Sequence, residues 1–340
     1  MQRKSIMTVV LGLAAAVLAA TPYAAGQGGR TDVPDDGIQG EYVGKYRPEG
    51  GSACDAEAKV IGEGDGNFRA VVTAGKDVKV ELKGKADGKR VALAGKAGDV
   101  EWKGTIEGGE AMVAESKAGE VSLKYTVRKS PTEGAKPPEG AVVLLPFEEG
   151  KKTSLDAWVN MDGKPAPWKV QDDGSILVEG GNIQTKKPLG NVQLHLEFRC
   201  PYMPKDRGQG RSNSGMYLHS RYEVQVLDSF GLEPRDNECG GIYSVGAPKT
   251  SASLPPGRWQ TYDVTFTSPE VQDGKITKPA VMSVKHNGIL IHENVKIDHV
   301  TTAGVGGPVV SPAPLMLQDH GNPVRFRNIW ITELKDGAAK

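Results

Sequence analysis

The chain is short of cysteine, has no surplus of charge and carries no long apolar run beyond its first residues. Each shortage excludes something. Three cysteines in 340 residues allow one internal disulfide at most. Lys+Arg and Asp+Glu both number 42, so the formal net charge is zero. A global electrostatic case for nucleic acid, or for an acidic membrane surface, is therefore missing. After the N-terminal segment no stretch approaches the ~20 apolar residues that a membrane-spanning helix needs. Long 3.6-residue periodicity is also absent, which argues against a helical protein. Neither His-x-His nor His-Glu-x-x-His occurs, so the common zinc spacings are missing. "GRSNSG" (210–215) frames serines with glycines but is not Gly-x-Ser-x-Gly, and no strand-to-helix elbow follows it.

Glycine (44) and proline (22) are plentiful, with apolar residues in short runs between turn signals, the pattern of an all-β protein. The opening "MQRKSIMTVVLGLAAAVLAATPYAAG" carries Arg3 and Lys4, then an apolar run from Thr8 to Ala20 and a small-residue site at Ala24-Ala25-Gly26. That is a signal peptide over residues 1–26, with no nearby cysteine for a lipid anchor. The expectation is a periplasmic or secreted protein without a membrane span. In such a compartment a Cys200–Cys239 disulfide, with Cys54 unpaired, is the economical pairing and contributes roughly 2–4 kcal/mol.

Length permits two modest domains. Residues 37–129 read as short alternating strands, among them "VKVEL" and "DVEWKG", joined by Asp-Gly and Gly-rich turns: a small meander barrel or sandwich. "SPTEGAKPPEG" (130–140) is a Pro/Gly linker. Residues 141–335 form a second β-rich unit, predicted as two stacked antiparallel sheets in a jelly-roll-like sandwich. Within it "VMSVKHNGILIH" is a hairpin turning at Asn287-Gly288.

Two strands of that unit choose their polar residues in a suggestive way. "NVQLHLEFR" sets Gln193, His195, Glu197 and Arg199 on one face; "RYEVQVLD" sets Glu223 and Gln225 opposite Val224 and Val226. "LMLQDHGNPVRFRN" adds Gln318, Asp319, His320 and Arg325, and Tyr217, Tyr222, Trp259 and Trp330 lie nearby in sequence. Carboxylates, amides, guanidinium groups and aromatic faces together suit a sugar, which presents hydroxyls around apolar C–H surfaces. The expectation is one cleft shared by Glu197, Arg199, Glu223, Gln225 and the Gln318–His320 segment. A one-residue register slip would reverse these faces.

Five segments carry a resemblance: "GNIQTKKPLGNVQLHLEFR", "RSNSGMYLHSRYEVQVLDSFG", "CGGIYSVGAPKTSASLPPGRWQTYDVTFTSP", "MSVKHNGILIHENV" and "LMLQDHGNPVRFRNIWI". In this order they resemble the 3-keto-disaccharide hydrolase family over residues 141–335. The resemblance implies a concanavalin-like β-sandwich and action on glycosides already oxidised at C3. A C3 ketone acidifies C2–H, so a base could start an elimination that expels the group on C1, with water adding later; direct hydrolysis is the other route. Such chemistry needs a base, an enolate stabiliser and an acid. Glu223 is the first choice for base and His320 its rival. Arg199 or Arg325 would steady the enolate, or a divalent metal ion held by Asp319, His320 or Glu197 would do so. Asn213, Gln225, Gln318 and Tyr217 would bind the substrate. Two other readings stay open: an ordinary glycosidase using Glu197 and Glu223, and a lectin-like module without catalysis.

Overall fold

A computed structural model describes residues 37–334 apart from residue 77. The signal peptide expected at 1–26 lies outside the described residues. Among the described residues the only helical element is a single 3-10 turn, Gly208–Gly210, and no helix is long and apolar enough to cross a membrane.

The first unit is a closed, wholly antiparallel barrel of eight strands running from Gly40–Pro48 to Gly119–Thr126, where the last strand pairs with the first. Alternation builds it. In Asn67–Ala74, Phe68, Ala70, Val72 and Ala74 point inward, while in Val78–Asp87 Val80 and Leu82 do so. Trp102, Ile106, Met112 and Leu123 fill the remaining space. The interior is a packed apolar core. The sequence left barrel and sandwich as alternatives here; closure decides for the barrel and removes both exposed edges.

The second unit is a two-sheet sandwich. Its smaller sheet runs, in spatial order, Trp158–Asn160, Ile183–Thr185, Met316–Leu317, Ser214–Leu218 and Tyr222–Val226. The larger is centred on Arg325–Glu333, Val192–Arg199, Trp259–Thr267 and Ala280–His286. Leu194, Leu196 and Phe198 from the larger sheet meet Met216, Leu218, Val224 and Val226 from the smaller in one apolar core. Each sheet therefore turns its polar residues away from the other. The hairpin at Asn287-Gly288 forms as read, with φ of 50° and 78° at its two turn residues, the left-handed pair that a two-residue turn demands.

Two expectations need correction. Residues 130–135 are not a free linker. Ser130 and Thr132 hydrogen-bond Thr261 at 2.6 and 2.8 Å, Thr132 also donates to Asp263, and the Gly134 amide donates to Glu197 at 2.6 Å. This segment is strapped across the outer face of the larger sheet. The cysteines are likewise unpaired: all three are free thiols. Cys200 and Cys239 are fully buried, and Cys239 Sγ lies 3.2 Å from the Tyr262 hydroxyl. Burial pushes both thiols up, Cys239 to about 11, which keeps them unreactive. Thiol titration of the folded protein is expected to detect Cys54 alone, and of the unreduced, unfolded protein all three; a single thiol after unfolding would restore the disulfide.

Candidate active site

The site is built on the hairpin Ser214–Leu218/Tyr222–Val226. Its loop places His219 and Ser220 at φ 55°, a conformation non-glycine residues seldom adopt. Neighbouring contacts hold it: Ser220 Oγ donates to the Pro314 carbonyl at 3.1 Å, and the Val305 amide donates to the Ser220 carbonyl at 2.8 Å. The register this loop sets puts Tyr217 opposite Glu223 and Gly215 opposite Gln225. With Met216, Leu218, Val224 and Val226 committed to the core, these four share the outer face of the smaller sheet.

On that face the Gln318 amide donates to the Tyr217 hydroxyl at 3.0 Å, and Tyr217 hydrogen-bonds Glu223. Glu223 and Gln225 are 2% and 1% exposed, so neither is a solvated strand residue. Burial disfavours the carboxylate and raises Glu223 to about 8, despite the opposing hydrogen bond from Tyr217. Burial and the neighbouring Glu223 push the Tyr217 hydroxyl up as well, so it stays a donor. Gln225 donates to Gln209 Oε1 at 3.0 Å, and the Asn213 side chain donates to the same oxygen at 3.1 Å. Chemically, this is one basic carboxyl aligned by a phenol, with the neutral amides of Gln225 and Gln318 on the same face. A proton taken up by Glu223 would neutralise a buried charge, the condition in which a carboxylate is a good base.

Gly215 belongs to the site for a steric reason. A Cβ there would stand 2.5 Å from Glu223 Oε1 and 2.6 Å from the Tyr217 ring. Alternation already aligns position 215 with 217, and a glycine inside a strand marks a close approach, so this residue was readable from sequence. Gln209, in the middle of the 3-10 turn Gly208–Gly210, offered no such signal.

The other residues expected in the cleft lie elsewhere. Glu197 and Arg199 share a strand whose apolar residues face the same core from the other side, so they occupy the opposite outer face of the sandwich. Glu197 is fully buried under the 130–135 strap, accepting from Arg327 at 2.7 Å and from Asn328 at 2.8 Å. Trp330 stacks on His195 there, and Trp259 lies beneath Arg199 and Arg327. Arg199 and Arg325 both pair with Asp173, at 3.5 and 3.2 Å. Tyr222 is in the core. Asp319 caps its own turn, accepting from the Gly181 and Gly321 amides at 2.8 Å each, and His320 is exposed beside it. Asp319, His320 and Glu197 therefore do not converge on one metal ion. Open depressions on the surface lie away from this chemistry; one on the barrel wall is lined by Val43, Gly44 and the solvent-screened Lys45–Asp55 pair.

A candidate glycosyl hydrolase from Parabacteroides distasonis, known from a 2.13 Å crystal structure, is 35% identical to this chain. The match covers 58% of this chain and 85% of that one, with a TM-score of 0.52. A second candidate glycosyl hydrolase from the same organism is 20% identical over 62% of this chain and 99% of its own, with a TM-score of 0.41. No curated protein matches the chain. Residues 140–332 match the model of the 3-keto-alpha-glucoside-1,2-lyase-like domain, and the chain belongs to that family.

Proposed function

We propose that this is an exported, carbohydrate-active enzyme that cleaves 3-keto-glycosides, with Glu223 as the base. Family membership supports the substrate class. The observation that carries the mechanism is the buried Gln318–Tyr217–Glu223 chain, which ends in a carboxyl with a pKa of about 8. In the reaction, Glu223 takes the C2 proton, and the C2–H electron pair moves toward the C3 oxygen to form an enolate. The enolate then expels the substituent on C1, whose oxygen takes the proton that Glu223 has just removed, restoring the carboxylate and leaving a C1–C2 double bond conjugated with the ketone. Water adds across that bond to complete a net hydrolysis. Gln225 and Gln318 offer neutral amide groups to the sugar hydroxyls, and Asn213 braces Gln225 by donating to Gln209. Arg199 and Arg325, engaged with Asp173, are not assigned the enolate.

Matched glucosides with and without the C3 ketone test this reading. Aglycone release from the keto form alone is expected. Release from both indicates an ordinary glycosidase, and binding without release a lectin-like module. The pH profile follows from the carboxyl. Because its ionised form fills only as pH passes about 8, kcat/KM is expected to climb between pH 6 and 8 and then level off. Tyr217 remains protonated across this range and adds no inflection. A profile that falls through the same range would give Glu223 the acid's role instead.

A further inference from the structure

Gln225 carries a buried oxygen, Oε1, without a partner. Its orientation is imposed from outside the sheet. Gln209 Nε2 donates to the Asn237 carbonyl at 2.8 Å, which turns Gln209 Oε1 toward Gln225 and Asn213. Gln225 must then present its NH2 group to that oxygen, at 3.0 Å, leaving its own oxygen for an incoming donor. A buried acceptor left open costs free energy unless something fills it, and sugar hydroxyls are donors.

Gln209 in turn depends on the barrel. It sits between two arginines that both bind the end of the barrel strand Cys54–Gly64. Arg207 donates to the Glu63 carbonyl at 3.1 Å, and Arg211 to the Gly62 carbonyl at 3.5 Å. Arg211 is also fixed by Asp228 at 2.7 Å. The approach is close: a Cβ on Gly62 would stand 2.3 Å from the Tyr202 hydroxyl.

We propose that Gln209 is a positioning residue, holding Gln225 Oε1 ready for a sugar hydroxyl, and that the N-terminal barrel completes the site by fixing Gln209 through Arg207 and Arg211. The barrel thus acts on substrate affinity without touching substrate. This rests on the sugar-cleaving reading above. The full chain is assayed with a 3-keto-glucoside for kcat and KM, and titrated calorimetrically with the matching unoxidised glucoside. Gln209→Met, which frees the Gln225 amide to rotate, is expected to raise KM and weaken the titration about tenfold, the scale of one hydrogen bond, with kcat within about twofold. Gln225→Met, which removes the awaited oxygen itself, is expected to raise KM to the same extent, and the double variant Gln209→Met/Gln225→Met no further, which two independent structural losses would not predict. Gly62→Ala is expected to reproduce the KM increase, and adding Tyr202→Phe, which removes the clashing hydroxyl, to reverse it. Additive KM increases in the double variant, or a fall in kcat with KM unchanged, overturns the positioning role. Wild-type KM in a folded Gly62→Ala variant overturns the barrel's part. Wild-type glucoside binding without turnover of the keto sugar overturns only the reaction, and the titrations still decide the positioning. Absence of binding overturns both.

Discussion

Glu223→Gln is expected to lower turnover of a 3-keto-glucoside by about 100-fold or more, the scale of losing a general base. The same change is expected to make the protein more stable. An ordinary Glu has a pKa near 4.5, whereas burial holds Glu223 at about 8. Between these values the unfolded chain releases the proton and the folded chain keeps it, so wild-type stability falls as pH rises from about 4.5 to 8. At pH 7 the penalty is roughly 3 kcal/mol, from ~1.4 kcal/mol per pKa unit. Glutamine has no charge to lose and still accepts from Tyr217. Its thermal midpoint should therefore exceed that of wild type at pH 7 and match it near pH 4. Equal midpoints at both pH values would mean that Glu223 is solvated, and its catalytic assignment would fall with its burial.

Glu197→Ala is expected to do the reverse, unfolding the protein readily while sparing the chemistry of the molecules that remain folded. Its carboxylate accepts from the Gly134 amide, Asn328 and Arg327, and His195 lies 3.4 Å away. Removing it leaves the strap amide unpaired and Arg327 with its 3.2 Å bond to Glu133 in place of a buried carboxylate, a loss of about 3–5 kcal/mol for a broken buried pair. Urea midpoints measure this, and proteolysis within 130–135 should accelerate as the strap loosens. Burial alone would raise Glu197, but His195, Arg327 and Asn328 hold it below the ordinary range, so its contribution is lost as pH falls. Burial alone would lower His195, but Asp263 and Glu197 carry it above 6.5, so its contribution is lost as pH rises through that raised value. The clasp is strongest between about pH 4.5 and 6.5, and the histidine's part fades from there up to its raised pKa. A large fall in kcat with an unchanged urea midpoint would return Glu197 to the chemistry.

The contrast between these two glutamates shows how far alternation reads. In "NVQLHLEF" and "RYEVQVLD" a period of two separates apolar from polar faces, and both separations are present. What a period of two does not encode is which sheet a strand joins. Strands of facing sheets send their polar sides in opposite directions, so Glu197 and Glu223, alike in pattern, end on opposite outsides of the sandwich. Nor does local pattern reveal what later covers a polar face: the 130–135 segment reads as a linker because its docking contacts, Thr261, Asp263 and Glu197, are distant in sequence. The Asn287-Gly288 hairpin was legible because its geometry is set by two adjacent residues. Gln209 was not, because its role comes from Asn237, Gln225 and the barrel together.

Deuterium at C2 of the 3-keto-glucoside tests the central claim most directly. If Glu223 removes that hydrogen before the glycosidic bond breaks, wild-type aglycone release slows on deuteration, most clearly where proton abstraction limits turnover below pH 8. Release at the same rate from the protonated and deuterated sugars below pH 8, with Glu223→Gln turning over as fast as wild type, would contradict abstraction by this residue.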